Sequence, residues 1–216
     1  MRIRSFIIAY ALLLAILLFA DHRPKPAQQN RYSHIVDLTL AESGRDKKLP
    51  PSPRTQIIAP DALIPGTWTA GQIPPERLIA PLVVMDLNVA PPAQIALDDI
   101  ANWETVNGAI PQGAVVAIRN RNTTNVTPSV TPLPITEDAA QFLMDARYTL
   151  GFAVESAADV KTDRSLARQL ALHGNYVVEQ TGRLSSIPAT GSLIIVAPDK
   201  NKNAGTSPVR VLTMVR

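Results

Sequence analysis

The sequence predicts an α/β fold, and three observations point there. Short runs rich in Val, Ile and Leu alternate along the chain with segments of helical spacing, the order expected of strands interleaved with helices. Nineteen prolines in 216 residues speak for a loop-rich, sheet-containing chain and against a helical bundle. Apolar residues make up 46% and charged residues 18%, the balance of a globular chain long enough to bury one core.

The elements follow in order. Arg2 and Arg4 precede an apolar run from Phe6 to Ala20, closed by Asp21-His22-Arg23-Pro24. A basic start before such a run is an export signal. It is either a cleaved signal peptide or an uncleaved anchor in the inner membrane. The run is slightly short for a span, while Leu18-Phe19-Ala20 makes a poor cleavage box. Residues 1–22 are therefore expected to be signal or anchor, 23–33 a polar linker and 34–216 one domain. Either export version places the body in the periplasm or another extracytoplasmic space.

Residues 34–40 alternate as a strand does, and 41–54 read as a polar, proline-rich loop. Residues 78–87 hold Leu82-Val83-Val84-Met85, a run suited to a strand buried on both faces. Ile95, Ile100 and Trp103 give 96–106 a helical face. A strand is expected over 113–119 and a long polar loop over 120–134. Thr136 can cap a helix whose first turn carries Glu137 and Asp138. A strand over 150–154 and a helix over 165–172 closed by Gly174 come next. The apolar segments 176–179, 193–197 and 209–215 are the last strands.

Composition excludes several functions. Net charge is only +3, and the basic residues form no aromatic-basic stripe, so nucleic acid is not an expected partner. There is no cysteine, hence no disulfide, thiolate ligand or Cys nucleophile. No Gly-rich phosphate loop is present. Ser156 beside Glu155 lacks the Gly-x-Ser-x-Gly turn of many serine hydrolases. Asn122 and Asn125 fit the glycosylation pattern, which has meaning only in a eukaryotic secretory pathway.

Five segments, taken in order, resemble the cyclase/kynurenine formamidase family of metal-dependent hydrolases. They are Ile35-Val36-Asp37-Leu38-Thr39; Ile73 to Leu78 with Met85-Asp86-Leu87; Leu150 to Ala153 with Ser156; Val177-Val178-Glu179 through Leu184 and Pro188; and Ser207-Pro208-Val209-Arg210. The resemblance implies a mixed, barrel-like sheet flanked by helices, the swivelling β/β/α architecture. It also implies a signature His-x-Gly-Thr-His-x-Asp-x-Pro-x-His that binds a catalytic Zn or Mn. The matching stretch is Ser52-Pro53-Arg54-Thr55-Gln56-Ile57-Ile58-Ala59-Pro60-Asp61-Ala62. Thr55 and Pro60 keep the frame. Ser52, Gln56, Ile58 and Ala62 stand where the ligands belong. A further family His falls twelve residues before the late Glu179, at Ala167, and the Asp of a third segment is Ala153. Glu179 is the retained family position.

A catalytic zinc needs about three N, O or S ligands and an open water position. One carboxylate and a weak amide donor do not supply them, so no cofactor is expected. His22 lies by the apolar segment, His34 at a strand start, and His173 at a helix end, where it suits capping. The resulting expectation is an exported pseudoenzyme that binds a small molecule or a protein partner. By family analogy Arg54, Gln56, Trp68 and Glu179 line its pocket, and the chain forms a homodimer. The alternative is an active amide hydrolase of the arylformamidase type, acting on N-formylkynurenine in tryptophan catabolism.

Overall fold

The computed structural model describes residues 32–40, 54–87, 94–120, 130–182, 184–200 and 203–216. The apolar run Phe6–Ala20, the linker, Ser52, Asn122 and Asn125 lie outside the described residues. Among the described residues no helix is long and apolar enough to cross a membrane.

The strands are β1 (His34–Asp37), β2 (Gln56–Ile58), β3 (Ile79–Leu87), β4 (Val115–Asn120), β5 (Val130–Thr131), β6 (Gly151–Val154), β7 (Ala157–Ala158), β8 (Tyr176–Glu179), β9 (Ser192–Pro198) and β10 (Thr206–Val215). The helices are α1 (Pro60–Leu63), α2 (Leu97–Asn107), α3 (Glu137–Arg147) and α4 (Arg164–Leu172).

The main sheet runs β1-β10-β2-β8-β6-β4-β3-β9, and β9 also pairs with β10. That second pairing closes seven strands into a mixed barrel, with β1 laid on its outside edge. β3, β4, β6 and β8 are mutually parallel; β2, β9 and β10 run antiparallel to their neighbours. The fold is the expected α/β barrel-like sheet flanked by helices.

Strand periodicity sorts the apolar residues onto two faces. Leu82, Val84, Val115, Ala117, Tyr176, Val178, Ile194 and Val211 share the barrel's interior cluster. Val83, Met85, Val116, Ile118, Phe152, Val154 and Val177 point the other way and pack against Ile100, Leu143, Leu166 and Leu170 of the helices. This double burial is why the strand segments read as continuous apolar runs. Gly151 is required where β6 crosses β8: a Cβ there would meet the Tyr176 carbonyl oxygen at 2.5 Å.

Helix ends behave as their sequences dictate. Thr136 Oγ1 accepts from the Ala139 N–H, capping α3. Asp163 accepts from the N–H groups of both Ser165 and Leu166, a cap at α4 that the sequence reading did not assign. α2 and α3 are tied by a two-pronged pair, Arg147 Nε to Glu104 Oε1 at 2.7 Å and Nη2 to Oε2 at 2.8 Å. Hydrogen bonding to Arg147 holds the Glu104 carboxyl below its ordinary pKa, against a smaller opposing effect of burial.

The long loop expected over 120–134 holds the two-residue strand β5, parallel to β7. Strand β2 and helix α1 occupy the stretch aligned with the metal signature, where no element was foreseen. Both are too short for a periodic signal.

Candidate functional site

β2 lies between β10 and β8, with Gln56 directly opposite Glu179 and Ile58 opposite Val177. Because side chains alternate, Gln56 and Ile58 leave β2 on the face away from Ile57, toward the helix layer. The chain then turns at Ala59 into α1, where Pro60 occupies the first helical turn, a position at which its missing N–H costs nothing. α1 packs against α4. Gln56, Ile58, Ala62, Ala167 and Glu179 thus belong to the wall formed by β2, β8, α1 and α4.

The chemistry of that wall is closed. The Gln56 side-chain amide donates to Glu179 Oε1. The Ala158 backbone N–H donates to Glu179 Oε2 at 2.6 Å. Glu179 is only 5% exposed, so both carboxylate oxygens are held away from bulk water by protein donors. Ile58 is buried in the apolar cluster that also holds Val177, Leu166 and Leu170, and Ala62 packs against it. Ala167 is buried on α4. As a donor set these side chains do not suit a divalent transition metal: Ile58, Ala62 and Ala167 offer no lone pair, and Gln56 offers a neutral amide. Among the described residues no group of three or more His, Cys, Asp or Glu side chains could share a metal ion.

Arg54 and Trp68 sit elsewhere. Arg54 precedes β2, its backbone N–H donating to Gln180 Oε1 at 2.8 Å. It lines an open groove of about 440 Å³ with Thr39, Asp199 and Arg210. Trp68 follows α1 and lines a second groove of about 540 Å³ with Pro60, Thr67, Gln72, Leu172 and His173. The structure therefore joins Gln56 to Glu179 and places Arg54 and Trp68 in separate grooves. The Ala158 N–H is a site group that the sequence reading missed, because a backbone donor leaves no side-chain signature.

The remaining polar candidates are committed to neighbours. His173 Nδ1 donates to the Gln169 carbonyl oxygen at 2.9 Å, the capping contact its position suggested, and Nε2 lies 3.0 Å from Asp145 Oδ1. His34 Nδ1 lies 2.8 Å from Ser33 Oγ. Ser156 Oγ lies 3.0 Å from Thr131 Oγ1, and neither described histidine is bonded to it. At the ends of β3, β4 and β6, Arg119 grips Asp86 through Nε at 2.5 Å and Nη2 at 2.9 Å, and donates from Nη1 to the Leu184 carbonyl oxygen. Burial pushes the nearby Glu155 carboxyl above its ordinary pKa, with Arg119 acting in the opposite sense.

Comparison with known proteins agrees with this architecture. No curated protein matches the chain. Among solved structures it is similar to isatin hydrolase A from Labrenzia aggregata, bound to benzyl benzoate, at 24% identity and TM-score 0.62 over 89% of this chain and 88% of that one. It is similar to isatin hydrolase A from Ralstonia solanacearum at 21% identity and TM-score 0.64, over 96% and 97%. It is also similar to a potential metal-dependent hydrolase with cyclase activity, at 23% identity and TM-score 0.66 over 85% and 98%. At these identities the likeness establishes the fold. A family profile described as "Putative cyclase" matches residues 28–159, more than half of the chain. This protein belongs to the cyclase/kynurenine formamidase-like family.

Proposed function

We propose that this protein is a metal-free member of its family, a pseudoenzyme whose task is binding. One observation carries the reading: the carboxylate retained at the family's late Glu position spends both oxygens on Gln56 and Ala158, facing an apolar wall where ligands would be needed. Without a metal there is no group to bring a bound water's pKa toward neutrality and supply the nucleophile. No histidine stands in as a general base, since the two described histidines are engaged away from Glu179. The proposal keeps the export reading of residues 6–20, which a soluble, cytoplasmic full-length product would sink.

The test is elemental analysis of the purified chain after dialysis, together with assays on isatin and N-formylkynurenine in the presence of added Zn or Mn. Less than about a tenth of a metal per chain and no turnover are expected. About one metal per chain, lost together with activity in Glu179→Ala, would overturn the pseudoenzyme reading in favour of the arylformamidase-type alternative. Restoring His at 52, 56, 62 and 167 with Asp at 58 should raise metal affinity.

A further inference from the structure

We propose that the groove beside Trp68 is a binding site for a planar aromatic small molecule, which stacks on the indole. The proposal rests on the binding role suggested above, but it moves that role away from the closed Gln56–Glu179 wall.

The groove has a built aromatic platform. Trp68 is 39% exposed, yet its ring is fixed from beneath. The Arg77 guanidinium lies over the ring, 5.6 Å from its centroid. Arg77 is itself held, its Nη2 donating to the carbonyl oxygens of His173 at 3.2 Å and Gly174 at 3.1 Å. Gly174 makes room for the indole: its φ is +67°, and a Cβ would lie 2.7 Å from Trp68 Cζ3. A ring this constrained loses little entropy when a second ring lies on it, which is the usual basis of preorganised binding.

The rest of the groove matches a small, flat occupant. Leu172, 64% exposed at the end of α4, supplies an apolar wall beside the indole. Gln72 lines the same groove; its Oε1 is taken by Thr69, which leaves the amide N–H₂ on the outer side of that bond. A volume of about 540 Å³ falls in the range of small-molecule sites and is too small for a folded element. Offset stacking on a rigid indole favours a planar π system over a saturated ring of equal size. Trp68 and Leu172 are two of the large apolar side chains this domain leaves in water, and they share one groove.

The chain's two tryptophans allow a direct test. Trp103 Nε1 donates to the Val84 carbonyl oxygen, away from the groove, so it serves as an internal control. The ¹⁵N-labelled full chain is titrated with indole and quinoline, and with cyclohexanol as the saturated control. The expected result is a saturable shift of the Trp68 indole N–H resonance by the planar bicycles, with Trp103 unmoved and no response to cyclohexanol. Leu172→Asp, a change at an exposed position, should weaken binding about tenfold without altering the far-UV spectrum. Gly174→Ala, which displaces the ring, should do the same. Gln56→Ala should leave the titration unchanged.

Failure of both bicycles to shift Trp68 at millimolar concentration would overturn the proposal. So would binding that Leu172→Asp leaves intact, or binding that Gln56→Ala abolishes. The last outcome would relocate the ligand to the former metal wall and leave the metal-free reading standing. Metal in the dialysed protein would strike that reading and not this one.

Discussion

Glu179 is a carboxylate whose surroundings have been rebuilt to hold it without an ion. Gln56 meets one oxygen across the β2–β8 ladder, and the Ala158 N–H meets the other from β7. Charge-assisted bonds to a buried acceptor are among the stronger ones, and an acceptor stripped of its donors keeps its full desolvation cost. Glu179→Ala should therefore lower stability by about 1–3 kcal/mol, and Gln56→Ala by a similar amount. The double variant should cost less than the sum of the two, because each single change already breaks the shared bond. Urea denaturation of the four proteins measures this; strict additivity would show that the pair does not act as one unit. The loss of donors at 56, 58, 62 and 167 is readable in the sequence because Thr55 and Pro60 fix the register of the stretch. What filled the gap is not readable there. Ile58 could have pointed at solvent or core, and its place among Val177, Leu166 and Leu170 depends on α4 folding back over β2. Arg54 and Trp68 sit near the motif in the chain, but α1 intervenes and carries Trp68 toward the end of α4.

Among the elements, legibility followed length. The nine residues of β3 and the ten of β10 give long apolar or alternating patterns, and the sequence locates both within a few residues. The eleven-residue helices α2 and α3 were visible from Ile100 and Trp103 and from the Thr136 cap. β2 spans three residues, α1 four, and β5 and β7 two each, less than one period of any pattern. Their formation is imposed from outside: β2 exists because β8 and β10 present free edges to it, and α1 because Pro60 starts a turn that α4 covers. The Asp163 cap had a signal, an acid directly before a helical run, and it marks the start of α4 one residue earlier than the apolar spacing alone. These brief elements are the ones that carry the former metal signature and the Glu179 tie. The functional wall is therefore built from the parts of the chain with the least local sequence signal.

At the scale of the whole domain, one closed sheet serves two apolar clusters. The interior cluster and the layer beneath the helices use alternate residues of the same strands, so Leu82 and Val83 are neighbours in sequence and occupy opposite sides of β3. The barrel has no seam at which one cluster could open alone, because β9 pairs with both β3 and β10. Losing the helix layer would expose Val83, Met85, Val116 and Val177 to water. Losing the interior would strip the same strands of their other face. Each cluster therefore depends on the other, and described residues 32–216 should unfold in a single transition. Leu82→Ala in the interior and Leu143→Ala under α3 each remove a side chain no more than 1% exposed, and each should cost about 2–5 kcal/mol. Their denaturation midpoints should fall while far-UV circular dichroism and aromatic signals continue to coincide. Trp103, hydrogen-bonded to Val84 from the helix layer, and Tyr176, fully buried in the interior, report the two sides. A Leu143→Ala protein whose Trp103 signal is lost at lower denaturant than its Tyr176 signal would show the helix layer separating first, and would refute the single-unit account.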